Sequence, residues 1–211
     1  MMEYLMEAPV ASFIFVITII TSLMAFSNEN LLSNLILHPY SVSRGKRVYT
    51  VLTSGLIHND WMHLIFNMFS YFFFAFQVEV IIGHWQFGLL YVMGLILSDL
   101  PTVYKHKDNY GYYSLGASGA VSAVIFSFIL YSPMSMMMIM PLPFHIPAII
   151  YGVLYLVYCN YASKHARDNV NHDAHFFGAI TGLFITIVLN YHVINTFLQQ
   201  LSLGVQSILH R

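Results

Sequence analysis

The stretch Leu115-Gly116-Ala117-Ser118-Gly119-Ala120-Val121-Ser122 runs directly into the apolar segment 123–131. A glycine on each side of Ala117-Ser118 removes side-chain bulk beside one hydroxyl and lets the backbone turn tightly. Because apolar residues follow, we expect Ser118 in the first turn of a membrane-embedded helix, where unpaired N–H groups favour negative charge. A serine nucleophile needs such a place, because its attack on a carbonyl creates an oxyanion. Taken alone, the stretch fits close helix packing in lipid better.

The composition is that of a membrane protein. Of the 211 residues, 58% are hydrophobic and 8% are charged, whereas a soluble domain carries about 25% charged residues. The net charge of -1 leaves no basic face for a nucleic-acid partner. The single cysteine, Cys159, excludes an internal disulfide and a cysteine-based metal site.

Six apolar segments predict an all-α, polytopic fold with six transmembrane helices, at 10–26, 61–78, 85–100, 116–131, 148–161 and 174–189. The first segment follows no Lys or Arg and is interpreted as a retained helix. The third is expected to end at Pro101. The fourth is shorter than the roughly 20 residues of a full crossing, so its start is expected to line a water-filled cavity. We expect one membrane domain over residues 1–211, with a core at about 10–190 and a mildly amphipathic tail at 191–211.

The connections between these segments carry further predictions. Residues 27–59 are too apolar for a solvated loop, so this first loop is expected to be half-embedded, with Arg44, Lys46 and Arg47 reaching the headgroups. Asp60 is expected to cap the second helix. A short turn containing Glu79, Gly83 and His84 should follow that helix, and residues 132–147, with four prolines, form a connector.

Polar side chains inside apolar helices are costly and are candidates for function. His63 and Asn67 have i, i+4 spacing and therefore share one face of the second helix. They are as well explained by an interhelical hydrogen bond as by a functional role. In the sixth helix, His175, Gly178 and Gly182 share a face. The two glycines permit close approach of the small face of the fourth helix, which would bring the His175 imidazole near Ser118 as a general base requires.

Other chemistries fit the residues less well. No H-E-x-x-H sequence of a zinc protease occurs, and Asp99 is the only carboxylate expected inside a span, whereas an aspartyl mechanism needs two. Asp173 cannot orient His175, because i, i+2 side chains diverge on a helix, so it is interpreted as an N-cap. His58, His63, His172 and His175 could gather a metal, but no carboxylate or cysteine completes a familiar set. A Ser118–His175 dyad without metal or cofactor is the economical proposal.

These motifs resemble the rhomboid family of intramembrane serine proteases. Residues 116–119 match its GxSG, residues 63–67 its HxxxN, and residues 174–182 its AHxxGxxxG. Residues 47–55 with His58 and Trp61 resemble the family's entry to the second helix, and Glu79 with Gly83 its ExxxG. The matches come in family order and cover about residues 10–190.

The resemblance implies a role for each matched residue. Ser118 would be the nucleophile and His175 the base, with Asn67, His63 and the Ser118 backbone N–H as oxyanion donors. Gly116 would shape the loop of the nucleophile, while Gly119, Gly178 and Gly182 would permit the close helix crossing. The implied substrates are single-span transmembrane proteins in lipid. Where the family often places an aromatic that stacks on the histidine, four residues after the serine, this chain has Ser122.

The resemblance also implies an orientation, with a cytoplasmic N-terminus in a bacterial inner membrane and an active site that opens to the extracytoplasmic side. Seven of the eight Lys and Arg residues would then lie in outward-facing loops, whereas the positive-inside rule predicts the reverse. We follow the resemblance. The alternative functions are a non-proteolytic rhomboid-like protein that binds membrane clients and, less well supported, a small transporter with a polar path through His63, Asn67 and His175.

Overall fold

The computed structural model describes residues 6–139, 144–168 and 170–209, and it is mostly helical. The helices are α1 Pro9–Phe26, α2 Glu29–Leu35, α3 Pro39–Val42, α4 Thr50–Thr53, α5 Trp61–Ile82, α6 His84–His106, α7 Ser118–Tyr131, α8 Ala148–His165, α9 His172–Leu189 and α10 Val193–Leu209. A short 3₁₀ helix, Ser54–Leu56, follows α4. Two short antiparallel strands, β1 Met136–Met138 and β2 His145–Pro147, lie in the connector and were not predicted, and the fold is otherwise helical as expected.

Helix α7 forms the centre of the fold. Every residue from Gly119 to Leu130 is buried, and α9, α6 and α5 pack around it. The helix is apolar or small on all sides, which is the pattern of a helix that is surrounded by others. Ser118 is its first residue and lies at its N-terminal end, where the preceding loop joins the helix.

Four of the described helices, α1, α5, α6 and α9, are long and apolar enough to cross a membrane. Helix α7 is apolar but has only 14 residues, and α8 is not among the four. The protein is therefore an integral membrane protein with several apolar helices. Six spans, a half-embedded first loop and a single domain over the whole chain stay predictions.

Two helices continue beyond the ends that the sequence predicted for them. Helix α6 passes through Pro101 to His106, since membrane helices tolerate a proline where neighbouring groups satisfy the freed backbone. The hydroxyl of the adjacent Thr102 donates to the Asn171 side chain, 3.1 Å away, which fixes this turn against the beginning of α9. Helix α5 continues to Ile82, so Glu79 lies inside a helix and Asp99 is not the only carboxylate in one.

The helix caps give one confirmation and one correction. The Asp60 carboxylate accepts a hydrogen bond from the His63 N–H at 2.8 Å, which confirms the predicted cap of α5. Helix α9 is instead capped by Asn171, while Asp173 forms an ion pair with Lys105 at 2.6 Å. Asn171 precedes the first turn and its side chain can reach the exposed N–H groups. In the first loop, Arg44 donates to the carbonyls of residues 40 and 107, and its contact with headgroups stays a prediction.

A buried carboxylate attaches α1 to α5. Glu79 is fully buried and accepts hydrogen bonds from the backbone N–H groups of Val10, at 3.0 Å, and Ala11, at 2.5 Å. Its oxygen Oε1 also lies 2.7 Å from His84 Nδ1. The first N–H groups of a helix have no partner within the helix, and a negative charge there is favourable.

We expect Glu79→Ala to lower the free energy of unfolding by about 3 kcal/mol, because two buried N–H groups lose a charged acceptor. Glu79→Gln keeps one acceptor oxygen and should cost less. The measurement is unfolding in detergent, with Glu29→Ala, an exposed residue of α2, as the matched control. An unchanged stability of Glu79→Ala would show that this contact does not hold α1 in place.

Candidate active site

The loop before α7 is pressed against α5 at Gly116. Gly116 has a backbone φ of +113°, which L side chains rarely adopt. A Cβ built on it would lie 2.6 Å from two atoms of the His63 ring, and its N–H donates to the Ser54 carbonyl at 2.9 Å. Only glycine can adopt this positive φ at position 116 and leave room for the His63 ring. The loop therefore lies against the imidazole of His63 two residues before Ser118, and both side chains line the same cavity.

Helices α7 and α9 cross with their backbones in contact. A Cβ on Gly178 would overlap the carbonyl oxygen of Gly119, and a Cβ on Gly182 would overlap that of Ala123. Ser118 lies one residue before the first contact, and His175 lies one turn before Gly178. The crossing therefore brings the beginnings of the two helices to the same place.

One cavity contains the four side chains singled out by the sequence motifs. It has a volume of about 900 Å³, and Ser118, His175, His63 and Asn67 all line it. Among the described residues, the Ser118 hydroxyl has no hydrogen-bond partner, and the His175 imidazole has none either. In enzymes without substrate, catalytic hydrogen bonds are often long and tighten in the complex. The geometry thus places a hydroxyl and an imidazole in one cavity that other polar side chains also line.

The two candidate oxyanion donors are fixed on one face of α5. The Asn67 amide donates to the His63 carbonyl at 3.1 Å, the i to i−4 bond expected from their spacing. A primary amide has two N–H groups, so one remains for a group in the cavity. The His63 ring contacts the His58 ring edge-on, with 4.8 Å between centroids. Both polar side chains are therefore oriented by contacts within α5 and with the loop before it.

The surroundings of His175 were not predictable from the motifs. Its ring lies nearly parallel to that of Tyr155 in α8, and the His172 ring lies almost perpendicular to it, with 6.0 Å between the ring centroids. Asp99, Ser54 and Tyr112 also line the cavity. Sequence patterns singled out Asp99, as a carboxyl group near the end of an apolar helix, but not Tyr155 or Tyr112.

The titratable groups in the loops beside the cavity have shifted pKa values. Burial lowers the pKa of His58 to about 3, so this ring is neutral at neutral pH. The backbone N–H of His63 holds the pKa of Asp60 below its ordinary value. The Val170 N–H, and then the side chain of His172, do the same for Asp168, which lies 3.1 Å from His172 Nε2. Both carboxylates are therefore charged at neutral pH.

Four histidines of this region, His58, His63, His172 and His175, are candidate metal ligands by residue type. Within residues 6–139, 144–168 and 170–209, no three His, Cys, Asp or Glu side chains form a group that could hold a metal ion.

The chain belongs to the rhomboid family, because the family model described as Rhomboid domain matches residues 45–192, well over half of its length. This family consists mainly of intramembrane proteases, and some of its members are inactive. The matched region includes α5 to α9 and all eight candidate site residues. No curated protein matches the chain.

Proposed function

We propose that the protein is an intramembrane serine endopeptidase that cleaves single-span transmembrane proteins through a Ser118–His175 dyad. The observation that carries the proposal is the crossing of α7 and α9 at Gly119 and Gly178, beside which both side chains line one cavity. A client-binding protein would not need this pairing of a hydroxyl and an imidazole. A transporter would not need a serine at the beginning of a buried helix.

The first half of the reaction is acylation. The Ser118 Oγ attacks the carbonyl carbon of the scissile peptide while His175 accepts the hydroxyl proton. The oxygen of that carbonyl becomes negative and is stabilised by the Asn67 amide, the His63 ring and the backbone N–H of Ser118. The C–N bond then breaks, His175 gives its proton to the leaving amine, and an ester joins the remaining fragment to Ser118.

The second half is hydrolysis of that ester. Water from the cavity attacks the ester carbonyl while His175 again accepts a proton, and the proton returns to Ser118 Oγ as the new carboxylic acid leaves. The cavity supplies a path for water because hydroxyl, amide, imidazole and carboxyl groups line it. No cofactor takes part in these steps.

The substrate has to present an unfolded peptide bond to Ser118. In a transmembrane helix each carbonyl is hydrogen-bonded within the helix, so the segment must locally unwind. Glycine and serine weaken helices relative to leucine and alanine. We therefore expect cleavage of segments that carry such residues near one membrane surface.

The test is cleavage by purified protein in liposomes of single-span segments that differ only in a Gly-Ser or Leu-Leu pair near one end. We expect the Gly-Ser segment to be cut within or next to that pair, as shown by product masses, and the Leu-Leu segment to be cut at least about fivefold more slowly. Absence of cut products from the whole series would contradict the proposed activity.

For the oxyanion donors, we expect Asn67→Ala to lower kcat about 10²-fold with a smaller change in KM, since the amide acts on charge that develops in the transition state. Gln77→Ala is the matched control, because the Gln77 amide makes the same i to i−4 bond on α5, to the Phe73 carbonyl, but is exposed away from the cavity. Equal kcat values for the two variants would remove Asn67 from the mechanism.

We further propose a bacterial inner-membrane protein whose cavity opens to the extracytoplasmic side. The basic residues that conflict with this orientation are partly engaged by the protein itself, since Arg44 pairs with Asp108 and Lys105 with Asp173. Accessibility of single cysteines at residues 105–110 to a membrane-impermeant reagent tests the orientation. Labelling only from the cytoplasmic side would contradict it.

A further inference from the structure

One tyrosine links the helices of the candidate nucleophile and the candidate base. The Tyr155 ring in α8 lies nearly parallel to the His175 ring, with centroids 6.3 Å apart and an angle of 16° between planes. Its hydroxyl lies 2.6 Å from the Ser122 hydroxyl. Ser122 belongs to α7, one turn after Ser118, and is 2% exposed. A single side chain of α8 therefore contacts both α7 and α9 inside the cavity.

The Tyr155 ring is held in its orientation from several sides. Phe126 of α7 lies 5.7 Å away and Tyr151 lies 5.8 Å away, measured between ring centroids. The buried Ser122 hydroxyl needs a hydrogen-bond partner, and Tyr155 supplies it. A distance of 2.6 Å is short for a bond between two hydroxyls and restricts rotation of the ring.

His175 depends on such support, because its own ring has no hydrogen-bond partner among the described residues. A general base must be held within a few tenths of an ångström of its working position. The flat face of Tyr155 limits the tilt of the imidazole on one side. Elsewhere α8 presents exposed apolar side chains, so its inward contacts are concentrated at few residues.

The geometry points to Tyr155 as a positioning residue for His175, with Ser122 as the group that fixes Tyr155. This inference rests on the proposed function, since it requires His175 to act as the base. It also couples α8 to the chemistry, because displacement of α8 away from α7 would withdraw the ring from His175.

The experiment compares Tyr155→Phe, Tyr155→Leu and Tyr155→Ala in the purified protein, with kcat, KM and the rate of Ser118 labelling by a fluorophosphonate as readouts. Phe keeps the ring and loses the hydroxyl, so a loss of about threefold in kcat and labelling rate is expected. Leu and Ala lose the ring, and kcat should fall about tenfold or more with little change in KM. A role in packing alone predicts that Leu equals Phe.

Ser122→Ala tests the hydroxyl pair with a variant that barely changes the volume. Its kcat and labelling rate should equal those of Tyr155→Phe. The double variant Ser122→Ala/Tyr155→Phe should be no slower than either single variant, because both changes remove the same hydrogen bond. The controls are Tyr161→Phe and Tyr161→Ala, at an exposed position of α8, which should retain full activity. If Tyr155→Ala does not fold, Ser122→Ala and Tyr155→Phe still test whether the hydroxyl pair positions His175.

Three outcomes would overturn the inference. They are wild-type kcat and labelling in Tyr155→Ala, equal values for Leu and Phe, and additive effects in the double variant. In each case the wild-type protein still reacts at Ser118, so the proposed function stands. If the wild-type protein neither cleaves nor reacts with the probe, the proposed function fails and this inference fails with it.

Discussion

Ser118→Ala and His175→Ala are each expected to lower the rate of substrate cleavage by about 10⁴-fold or more while leaving the protein folded. Ser118 supplies the atom that bonds to the substrate, whereas the next hydroxyl of α7, that of Ser122, is buried and hydrogen-bonded to Tyr155. His175 has to accept and return a proton in both halves of the reaction. Residues that act as such a unit are not additive, so the double variant should be no slower than either single variant. The measurement is kcat/KM in liposomes.

Two substitutions serve as controls for this prediction. Ser127 is buried on α7 and its hydroxyl has no hydrogen-bond partner among the described residues, so Ser127→Ala removes a serine of the same helix outside the site. His192 is exposed after α9, so His192→Ala removes a histidine of the same region. Both should keep wild-type kinetics. Cleavage by either dyad variant at the rate of its control would contradict the mechanism.

Gly178→Ala is expected to produce the second largest effect. Its Cβ would overlap the backbone carbonyl of Gly119, which cannot move as a flexible side chain would. Overpacking of this kind costs about 1–3 kcal/mol of stability. Because the two helix beginnings would have to separate, Ser118 and His175 would move apart, and misplacement by about 1 Å can cost about 10²-fold in rate.

Gly88→Ala in α6 is the matched control for Gly178→Ala. A Cβ at that position would meet only Val10 Cγ1, at 3.7 Å, an ordinary contact. Alanine also favours a helix over glycine by about 1 kcal/mol, so this variant should be as stable as the wild type or more stable. The readouts are thermal unfolding in detergent and the rate of cleavage. If Gly178→Ala behaved like Gly88→Ala, close helix contact would not be what assembles the site.

The sequence could predict those parts of the structure that depend on local spacing. The i, i+3, i+7 pattern of His175, Gly178 and Gly182 predicts one helix face with two glycines below a histidine. In the structure the two glycines of that face contact Gly119 and Ala123 of α7. The cap of α5 by Asp60 was equally local. Composition was enough to indicate a membrane protein, since few charges were available for a water-facing surface.

The parts that could not be predicted depend on contacts between distant residues. Helix α6 continues through Pro101 because it is packed against α7 and α9. Strands β1 and β2 form by pairing with each other across the connector. Asn171, rather than Asp173, caps α9. Both residue types are typical of helix caps, so the local sequence does not show at which of the two the helix begins. Tyr155 reaches His175 from a helix that carries no recognisable motif.

The most direct test of the central claim is covalent labelling of the purified, folded protein with a fluorophosphonate, which reacts with activated serines. The account predicts one adduct, on Ser118 by mass spectrometry of peptides, and its loss after denaturation, in Ser118→Ala and in His175→Ala. Ser127→Ala and Gly88→Ala should label at the wild-type rate. Labelling of His175→Ala as fast as wild type, or an adduct on a different serine, would contradict the claim that these two side chains act together.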